Sequence, residues 1–514
     1  MLTSWIRNPK TAPYAASYNG VVTTLRFTRP AVILLALVTA PIIPAGTPAA
    51  ARAAAGQTAV PQPYDAVFTP AAMRVDYFHT GGLGTEVVVL DRVVADGVWP
   101  GNRTHLVDTM NLGHYLFEVV EPRTGEVLYS RGFSSIFAEW DTTAEAKQIH
   151  RTFHESLRFP WPKAPVRVVL QRRTTTGKFR DLWSLDVDPE APSVVRADVR
   201  PVGTVWTLVE NGPAAEKVDL LLIGDGYTDA EMPKFHADAA RLVKALFAVE
   251  PYRNRQADFN VRAIDLPSTE SGINRPQAGV FRRSLLATAY DVFGIDRYVL
   301  AGDNRMLRDV ASVAPYEFIE ILVNDRTYGG GGIFNLQATV AVDSGYAEYV
   351  FIHEFAHHFA GLGDEYYSSD VAYETGGAEH PEPWEPNLTA LKDPSALKWR
   401  DLVSPGTPLP TPWNREAFEK RSPEFRERRA ALREQRASEA DIDVVHREEE
   451  VWQTRFLAGL PHSGQVGAFE GAGYEASGLY RPSTDCIMFT RDTVGFCRVC
   501  QRAIVRIIDE YATR

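Results

Sequence analysis

The sequence lacks the features that would indicate binding of nucleic acids or nucleotides. Its 54 Lys and Arg residues are outnumbered by 65 Asp and Glu residues, which gives a net charge of -11. Nucleic-acid-binding proteins usually display a basic patch, so this balance argues against contact with a phosphate backbone. The glycines also lack phosphate-loop spacing. No G-x-G-x-x-G pattern surrounds Gly224 and Gly226, and no lysine follows residues 328–332 at Walker spacing.

A long apolar run is also missing, and this bears on localisation. A membrane-spanning helix needs about 20 apolar residues, whereas the run from Ala31 to Pro44 is shorter and is interrupted by Pro41. Basic residues precede the run, and small residues with Ala-x-Ala patterns follow it at residues 48–56. This order is typical of a secretory signal peptide. We expect residues 1–56 to be a signal peptide and the mature protein to be secreted or periplasmic without a stable membrane span; an uncleaved anchor is the alternative.

Cysteine is scarce, because Cys486, Cys497 and Cys500 are the only three in the chain. In a secreted protein this number suggests one local disulfide and one free thiol. The C-x-x-C spacing of Cys497 and Cys500 also occurs in redox and structural zinc sites, but no second pair and no thioredoxin-like strand accompanies it. We expect a disulfide between Cys486 and either Cys497 or Cys500.

The first part of the chain after the signal segment has a β-like pattern. At 514 residues with 45% apolar content, the chain has room for two or three domains with substantial cores. Short apolar segments alternate with turn signals such as those at 80–82 and 122–125. The predicted strands are 73–78, 85–94, 114–121, 126–129, 166–171 and 182–187. We expect an all-β sandwich domain over residues 64–201 with a structural or substrate-orienting role.

The pattern changes at Val218, where an apolar run to Ile223 is typical of a buried strand in an α/β sheet. Thr228 and Glu231 form a capping box that predicts the start of a helix. Further strands are predicted at 259–264 and 318–323. The sequence therefore predicts an α+β domain of α/β type over residues 210–514.

Three other segments of this domain carry specific predictions. Residues 338–342 are predicted to form an exposed or edge strand, on which an extended peptide could pair. The glycine-rich residues 328–332 are predicted to form a flexible rim loop or a sharp bend. Residues 413–459 are dense in Glu and Arg, which predicts an insertion of long, solvated helices.

The segment from Phe351 to Tyr367 carries the clearest chemical signal, a His-Glu-x-x-His motif. His353 and His357 stand four residues apart, so on a helix they share a face and can reach one metal ion. Glu354 projects beside them, where it can act as a general base on water. His358 points about 100° away around the helix and is expected to pack rather than to bind metal.

A catalytic zinc site normally has three protein ligands, so two histidines need a third partner. In metzincin endopeptidases a glycine three residues after the second histidine turns the chain, and a third histidine follows three residues later. Here the pattern is displaced by one residue, with Gly361 as the turn and Asp364 as the expected ligand. A carboxylate can replace imidazole on zinc. Glu365 is the competing candidate.

At these residues the sequence resembles the active-site signature of the IgA-peptidase-like zinc metallopeptidases, family sixty-four of the metallopeptidases. Supporting matches lie at residues 224–228, 268–272, 469–474, 480–482, 486–488 and 496–500. The resemblance covers about residues 218–508, and the preceding β segment is similar to the N-terminal domain of that family.

The resemblance implies a metzincin-like zinc peptidase fold in which Met488 corresponds to the Met-turn beneath the metal. Metzincins of the astacin kind have a tyrosine two residues after that methionine, but Thr490 occupies the position here. Support for the reaction's oxyanion is therefore expected from elsewhere, with Tyr480 and Tyr474 as candidates.

The resemblance implies a secreted zinc metalloendopeptidase that hydrolyses peptide bonds in protein substrates through a zinc-activated water. Zn²⁺ would be held by His353, His357 and Asp364, and Glu354 would be the catalytic base. The alternative is a non-catalytic secreted or surface protein that binds protein or glycan and keeps a structural metal, although such a protein has no need of Glu354. The sequence does not indicate which substrate is cut or the oligomeric state.

A gluzincin-type aminopeptidase is a further alternative. It would take its third ligand from a second helix about twenty residues on. Glu379 and Glu382 are near that distance, but they lie in a proline-rich stretch that cannot be a helix interior.

Overall fold

The computed structural model of the chain describes residues 63–196, 203–367, 380–491 and 494–513. The expected signal peptide and the expected domain boundary at residue 201 lie outside these ranges. The described residues belong to one compact unit of mixed α/β architecture, with several sheets and eight α-helices among them. In this part of the chain no helix is long and apolar enough to cross a membrane.

Two four-stranded sheets make up most of the described chain up to residue 196. The strands are β1 (Phe68–Gly82), β2 (Thr85–Val98), β3 (Tyr115–Val120), β4 (Val127–Phe133), β5 (Arg151–Pro162), β6 (Val166–Arg173), β7 (Phe179–Val187) and β8 (Val194–Val195). Their orders are β5-β1-β2-β8 and β4-β3-β6-β7, and every pair except β2 with β8 is antiparallel. Two short helices, α1 (Tyr64–Val67) and α2 (Ile136–Trp140), accompany them.

The two sheets share one core, which makes this region a β-sandwich. Tyr77 of β1 and Leu157 of β5 pack in the same buried cluster as Val119 of β3 and Leu170 of β6. Strand β5 was not predicted from the sequence. Its residues are spaced as a half-buried strand, but prolines at 160 and 162 obscured the pattern.

A six-stranded sheet of the described residues is the centre of the second region. Its strands are β9 (Thr204–Val209), β10 (Val218–Asp225), β11 (Phe259–Asp265), β12 (Phe318–Val323), β13 (Gly330–Ile333) and β14 (Gln337–Ala341), in the order β13-β14-β12-β10-β11-β9. Strands β14, β12, β10 and β11 are parallel, and the two outer strands run antiparallel to their neighbours. All eight residues of β10 are buried, as expected for a strand covered on both faces.

The edge of this sheet differs from the sequence prediction. Residues 338–342 were expected to be exposed or at an edge, but β14 lies between β13 and β12 and all its residues are buried. That prediction is wrong. The edge strand is β13, formed by the glycine-rich residues that were expected to be a rim loop or a bend. A glycine run has low strand propensity, so pairing with β14, together with a bridge from Gly330 to Tyr298, makes it a strand.

Helices cover both faces of the sheet. The helices are α3 (Met232–Leu246), α4 (Asn304–Ala311), α5 (Ala347–Ala360), α6 (Arg415–Glu434), α7 (Glu439–Ala458) and α8 (Arg498–Tyr511), and a hairpin of β15 (Phe469–Ala472) and β16 (Glu475–Arg481) precedes α8. Alternate strand residues divide between the faces: Leu220 joins the core beneath α3, α5 and α8, whereas Leu221 joins the core beneath α4. The predicted capping box of Thr228 and Glu231 is present at the start of α3.

The charged segment forms a helical hairpin, α6 and α7, that packs against α5. Its aromatic side chains face inwards: Phe418 stacks on Trp452 with ring centroids 5.2 Å apart. Tyr346, at the start of α5, donates a hydrogen bond of 2.9 Å to Glu450 of α7. The hairpin is therefore solvated on one side and attached to the helix that carries the His-Glu-x-x-His motif on the other.

Buried ion pairs join the sandwich to the second region. Arg74 of β1 is 1% exposed and contacts Asp76, Asp96 and, across the boundary, Asp309 of α4. The backbone N-H of Ser134 donates a hydrogen bond of 2.9 Å to the carbonyl of Phe334, which follows β13. The sandwich is thus held against the same end of the sheet at which α5 lies.

Candidate metal centre

Helix α5 carries the His-Glu-x-x-His motif and ends where the sequence predicted. It runs from Ala347 to Ala360, and Gly361 follows in the left-handed conformation with φ of 60°. The N-H of Gly361 donates to the carbonyl of His357 over 3.1 Å. A side chain at Gly361 would also meet the ring of Trp384 at 2.8 Å. Glycine is therefore needed to turn the chain so that Asp364 comes back towards the helix.

The turn brings one atom from each of three side chains together. Nε2 of His353 and Nε2 of His357 are 3.1 Å apart. Oδ1 of Asp364 lies 3.1 Å from Nε2 of His353 and 3.2 Å from Nε2 of His357. Three corners of a tetrahedron around zinc, with bonds of about 2.0 to 2.1 Å, would be about 3.3 Å apart. The spacing of the three atoms therefore fits one ion of this kind.

The other ring nitrogens show why these atoms are free to bind a cation. Nδ1 of His353 is 3.0 Å from the carbonyl oxygen of Ile487, and Nδ1 of His357 contacts the carbonyl of Leu362. A carbonyl can only accept, so each Nδ1 carries the hydrogen and each Nε2 presents a lone pair. Two lone pairs and the Asp364 carboxylate therefore converge on one point.

The pKa shifts of His357 and Asp364 are those of a site that attracts positive charge. Burial would lower the pKa of His357, but the Asp364 carboxylate, with Glu354, raises it to about 9. Burial would likewise raise the pKa of Asp364, but His357 and His353 hold it well below its usual value. His353, His357 and Asp364 are thus a donor set that fits a divalent metal ion.

Glu354 lies beside this donor set and lines the cavity above it. Burial raises the pKa of its carboxyl above the usual value, although His353 and His357 oppose the shift. A general base works best when its pKa is near the working pH, so the shift suits proton transfer. The adjacent His358 is wholly buried and is held between the Ile319 N-H and the Ile333 carbonyl. Its role is packing, as expected.

The two candidate tyrosines lie in different places. The hydroxyl of Tyr474 donates a hydrogen bond to Oδ2 of Asp364, and Tyr474 lines the cavity. Tyr480 is not among the described residues that line it; its backbone pairs with Thr389 instead. Arg297, which the sequence did not single out, does line the cavity. The Tyr366 and Tyr474 hydroxyls and Asp364 act on Arg297 to raise its pKa against the effect of burial.

Met488 packs in the core next to helix α5. Its side chain is wholly buried in the core that contains α5. Its carbonyl accepts a hydrogen bond of 2.9 Å from the N-H of Glu365, and the preceding Ile487 carbonyl accepts from His353. The segment therefore orients one histidine and the chain that follows Asp364.

The cysteines and Glu365 lie together, away from the histidines. Cys486, Cys497 and Cys500 are all free in the structure, so the expected disulfide is not formed. Sγ of Cys500 is 3.1 Å from Oε1 of Glu365, the residue that competed with Asp364 as third ligand. Asp364 is the carboxylate next to the histidines, and Glu365 is the carboxylate next to the cysteines.

A cavity of about 670 Å³ opens above the histidines. Helix α5 and β13 form its floor, with Gly330 and Gly332 of β13 among the lining residues. The sandwich forms another wall, through residues that include His114 and Arg173. Trp384 contacts His114 in this wall, edge to face, with the two ring centroids 5.4 Å apart. Both regions of the protein therefore shape the space in which a substrate would lie.

His114 is a neutral residue in this wall. Burial lowers its pKa to about 4, and Arg172 and Arg173 act in the same direction. Its Nδ1 contacts the Ser134 hydroxyl at 3.0 Å, and Nε2 accepts from the Trp384 N-H at 3.4 Å. No sequence pattern indicated this wall, because its residues are far from α5 along the chain and only the tertiary structure brings them together.

Comparison with known protein families gives two matches. The model described as IgA Peptidase M64 matches residues 206–508, and the model described as Peptidase M64 N-terminus matches residues 63–184. The first range includes every donor atom described above, and the second includes most of the sandwich. Among curated proteins, none matches the chain significantly.

Proposed function

The chain belongs to the IgA peptidase M64 family of peptidases, and from this premise we propose that it is a secreted, zinc-dependent metalloendopeptidase with a metzincin-like catalytic region. The single observation that carries the proposal is the arrangement on α5. Three donor atoms converge at 3.1 to 3.2 Å, and a carboxylate of raised pKa stands beside them at the floor of a cavity. The signal-peptide pattern of residues 1–56 supports secretion.

His353, His357 and Asp364 would hold the zinc ion. When bound, the ion supplies Lewis-acid chemistry, because it polarises a carbonyl and lowers the pKa of water towards neutrality. The protein keeps these donors ready through the Ile487 and Leu362 carbonyls, which fix the two imidazole rings. Tyr474 holds Asp364 in the same way from the cavity side.

Glu354 would act as the general base. It lines the cavity next to the donor set, where it can take a proton from the water that attacks the scissile carbonyl. The carboxylic acid so formed can then donate the proton to the leaving amine. Its raised pKa makes the carboxylate a stronger base for the first step, and the carboxylic acid then holds the proton until the leaving amine, a much stronger base, takes it.

Arg297 is our candidate for stabilising the oxyanion. It is a cation that lines the same cavity as Glu354, where negative charge develops on the carbonyl oxygen. Tyr474 already donates to Asp364, so we assign it to positioning that ligand rather than to the oxyanion. Tyr480 lies outside the described cavity lining and has no role in this proposal.

The cavity suits a peptide chain. The backbone of Gly330 in β13 already bonds to Arg297 and Val299, but Gly332 of the same strand also lies at the cavity floor. An extended peptide can pair with the edge of a strand at such a position. Aromatic and aliphatic side chains such as Phe334, Trp384 and Leu388 line the walls, and these suit substrate side chains. The alternative of a binding protein with a structural metal is less well supported, since a structural site does not need Glu354 open to a cavity.

The test is the activity of Glu354→Gln against a denatured protein substrate, with zinc content measured on the same sample. We expect zinc to be retained and hydrolysis to fall roughly 100- to 10,000-fold, the usual contribution of general acid-base catalysis. The matched control is Glu348→Gln in the first turn of the same helix, where the side chain is 57% exposed. Full activity in Glu354→Gln would sink the proposal.

A further inference from the structure

A second group of metal-binding side chains lies behind the cavity. Glu365, Cys486, Cys497 and Cys500 each offer one donor atom, and these four atoms all lie within 4.8 Å of one another. None of the four is among the described residues that line the cavity above the histidines. We propose that they bind one Zn²⁺ ion in a closed, tetrahedral, structural site.

The distances fit zinc. Four-coordinate structural zinc has Zn-S bonds of about 2.3 Å, so two thiolate ligands at tetrahedral corners are about 3.8 Å apart. The sulfurs of Cys486 and Cys500 are 3.8 Å apart. Oε1 of Glu365 lies 3.1 Å from the sulfur of Cys500, which suits the shorter bond that oxygen makes to zinc.

The chain around the cysteines is shaped for thiolate ligands. Cys497 is the N-cap of α8, and Cys500 lies in the first turn of that helix. Both side chains therefore come from the same end of α8. The N-H of Cys497 also points at the sulfur of Cys486, 3.3 Å away. Backbone N-H groups directed at sulfur stabilise a bound thiolate.

Glu365 supplies an independent indication of a ligand. It is 0% exposed, and Asn387 donates a hydrogen bond of 3.0 Å to its Oε1. Its Oε2 is also buried and has no hydrogen-bond partner among the described residues. A buried carboxylate oxygen without a partner is costly unless the group is protonated or binds a cation, and coordination to a metal satisfies it directly. A disulfide between two of the cysteines would leave Oε2 without such a partner.

The site would connect three segments that also build the catalytic centre. Glu365 follows Asp364 directly, and its N-H bonds to the Met488 carbonyl. Cys486 lies two residues before Met488, and Cys500 belongs to α8, which packs in the same core as α5. An ion bound here would fix the Met488 segment against the chain that presents Asp364. The Cys497 side borders a second cavity of about 270 Å³, which gives the ion a path in.

The experiment counts zinc in two proteins, the full chain and a His353→Ala/His357→Ala variant, both purified without chelator. We expect two zinc ions per chain in the first and one in the second. One ion in both would still support the cysteine site while removing support for zinc at the histidines. One ion in the full chain and none in the variant would overturn the inference, as would no zinc in either protein.

Two further measurements on the same histidine variant identify the ligands without requiring cysteine variants to fold. Cobalt in place of zinc is expected to give intense thiolate-to-metal charge-transfer absorption, and a spectrum without it would contradict the proposal. Thiols are then counted under denaturing, non-reducing conditions with a chelator present. Three reactive thiols are expected from a metal site, whereas a single thiol would show that a disulfide occupies the position.

Discussion

Asp364 and Glu365 are neighbours in the chain, yet their carboxylates belong to different sites. Asp364 lies 3.1 Å from His353 at the floor of an open cavity, whereas Glu365 lies 3.1 Å from the sulfur of Cys500 in a buried cluster. Their pKa values move in opposite directions. Burial would raise both, but His357 and His353 hold the pKa of Asp364 well below its usual value, while burial and Cys486 raise that of Glu365.

Asp364 and Glu365 are joined by one peptide bond, yet we assign the first to a catalytic site and the second to a structural site. Three protein ligands beside a cavity leave a coordination position open for a reactant, which is the mark of a catalytic site. Four ligands without access to that cavity leave none, which is the mark of a structural site. The two carboxylates are chemically alike, so their roles follow from what the fold places next to each.

The largest effect is expected from removal of the Asp364 carboxylate, which tests the difference between the two sites. We expect Asp364→Ala to lower zinc affinity at the histidines sharply and to reduce peptide hydrolysis by roughly a thousandfold, because a catalytic metal contributes several kcal/mol. The melting temperature should change less than in Glu365→Ala. The measurement is zinc content with kcat/KM on a denatured protein. Unchanged zinc affinity would transfer the ligand assignment from Asp364 to Glu365.

Removal of Glu365 is expected to show the reverse pattern. Glu365→Ala should lower the free energy of unfolding by about 3 to 5 kcal/mol, the usual cost of breaking a buried ionic group away from its partners. Activity per folded molecule should fall far less than in Asp364→Ala. Denaturant unfolding followed by circular dichroism measures the first effect. A variant that keeps its stability but loses activity like Asp364→Ala would remove the distinction between the two carboxylates.

Tyr474→Phe is expected to affect the site of His353, His357 and Asp364 and not the site of Glu365. It removes the hydroxyl that donates to Asp364, and such partners of metal ligands are typically worth about 10- to 100-fold in metal affinity. A competitive chelator titration measures the change. Tyr480→Phe is the matched control, because Tyr480 lies outside the described lining of the cavity, and its affinity should equal that of the unmodified protein. Equal effects of the two substitutions would contradict the positioning role of Tyr474.

The smallest effect concerns the wall of the open site and depends on pH. The pKa of His114 is lowered from 6.5 to about 4 by burial and by Arg172 and Arg173. Between pH 6.5 and 4 the His114 side chain is therefore protonated in the unfolded chain but neutral in the folded chain. The free energy of unfolding should fall as pH falls through this range, by about 1 to 2 kcal/mol after allowance for partial exposure, and level off below it.

His114→Gln tests this origin, because glutamine does not titrate. The difference in unfolding free energy between the two proteins should be constant above pH 6.5 and should shift between pH 6.5 and 4. Denaturant unfolding at a series of pH values measures it. Parallel curves over the whole range would show that His114 takes no part in the pH dependence.

Local patterns predicted much of the catalytic region from sequence. The motif on α5, the turn at Gly361 and the capping box before α3 each depend on residues a few positions apart, and the structure has all three. The family resemblance was confirmed by the matches over residues 206–508 and 63–184. The placement of Asp364 beside the histidines also follows from short-range spacing, since Gly361 sets the direction of only three residues.

Contacts between residues far apart in the chain could not be predicted from the sequence. The cluster of Glu365 with Cys500 joins residues 135 positions apart, and no periodicity reports such a contact. Strand β13 is a strand because β14 pairs with it, although its glycines favour no regular structure. Arg297 and the cavity wall formed by His114 have the same origin, since packing between distant segments places them.

The hairpin turn between β6 and β7 reaches the cavity at Thr174 and Gly177, far along the chain from every residue that touches the metal site. A surface turn of this kind tolerates substitution and insertion without disturbing the core. A substitution in this turn can therefore change the wall of the cavity without altering His353, His357 or Asp364. The sandwich is therefore the part of the protein in which substitutions could change the substrate cavity during evolution.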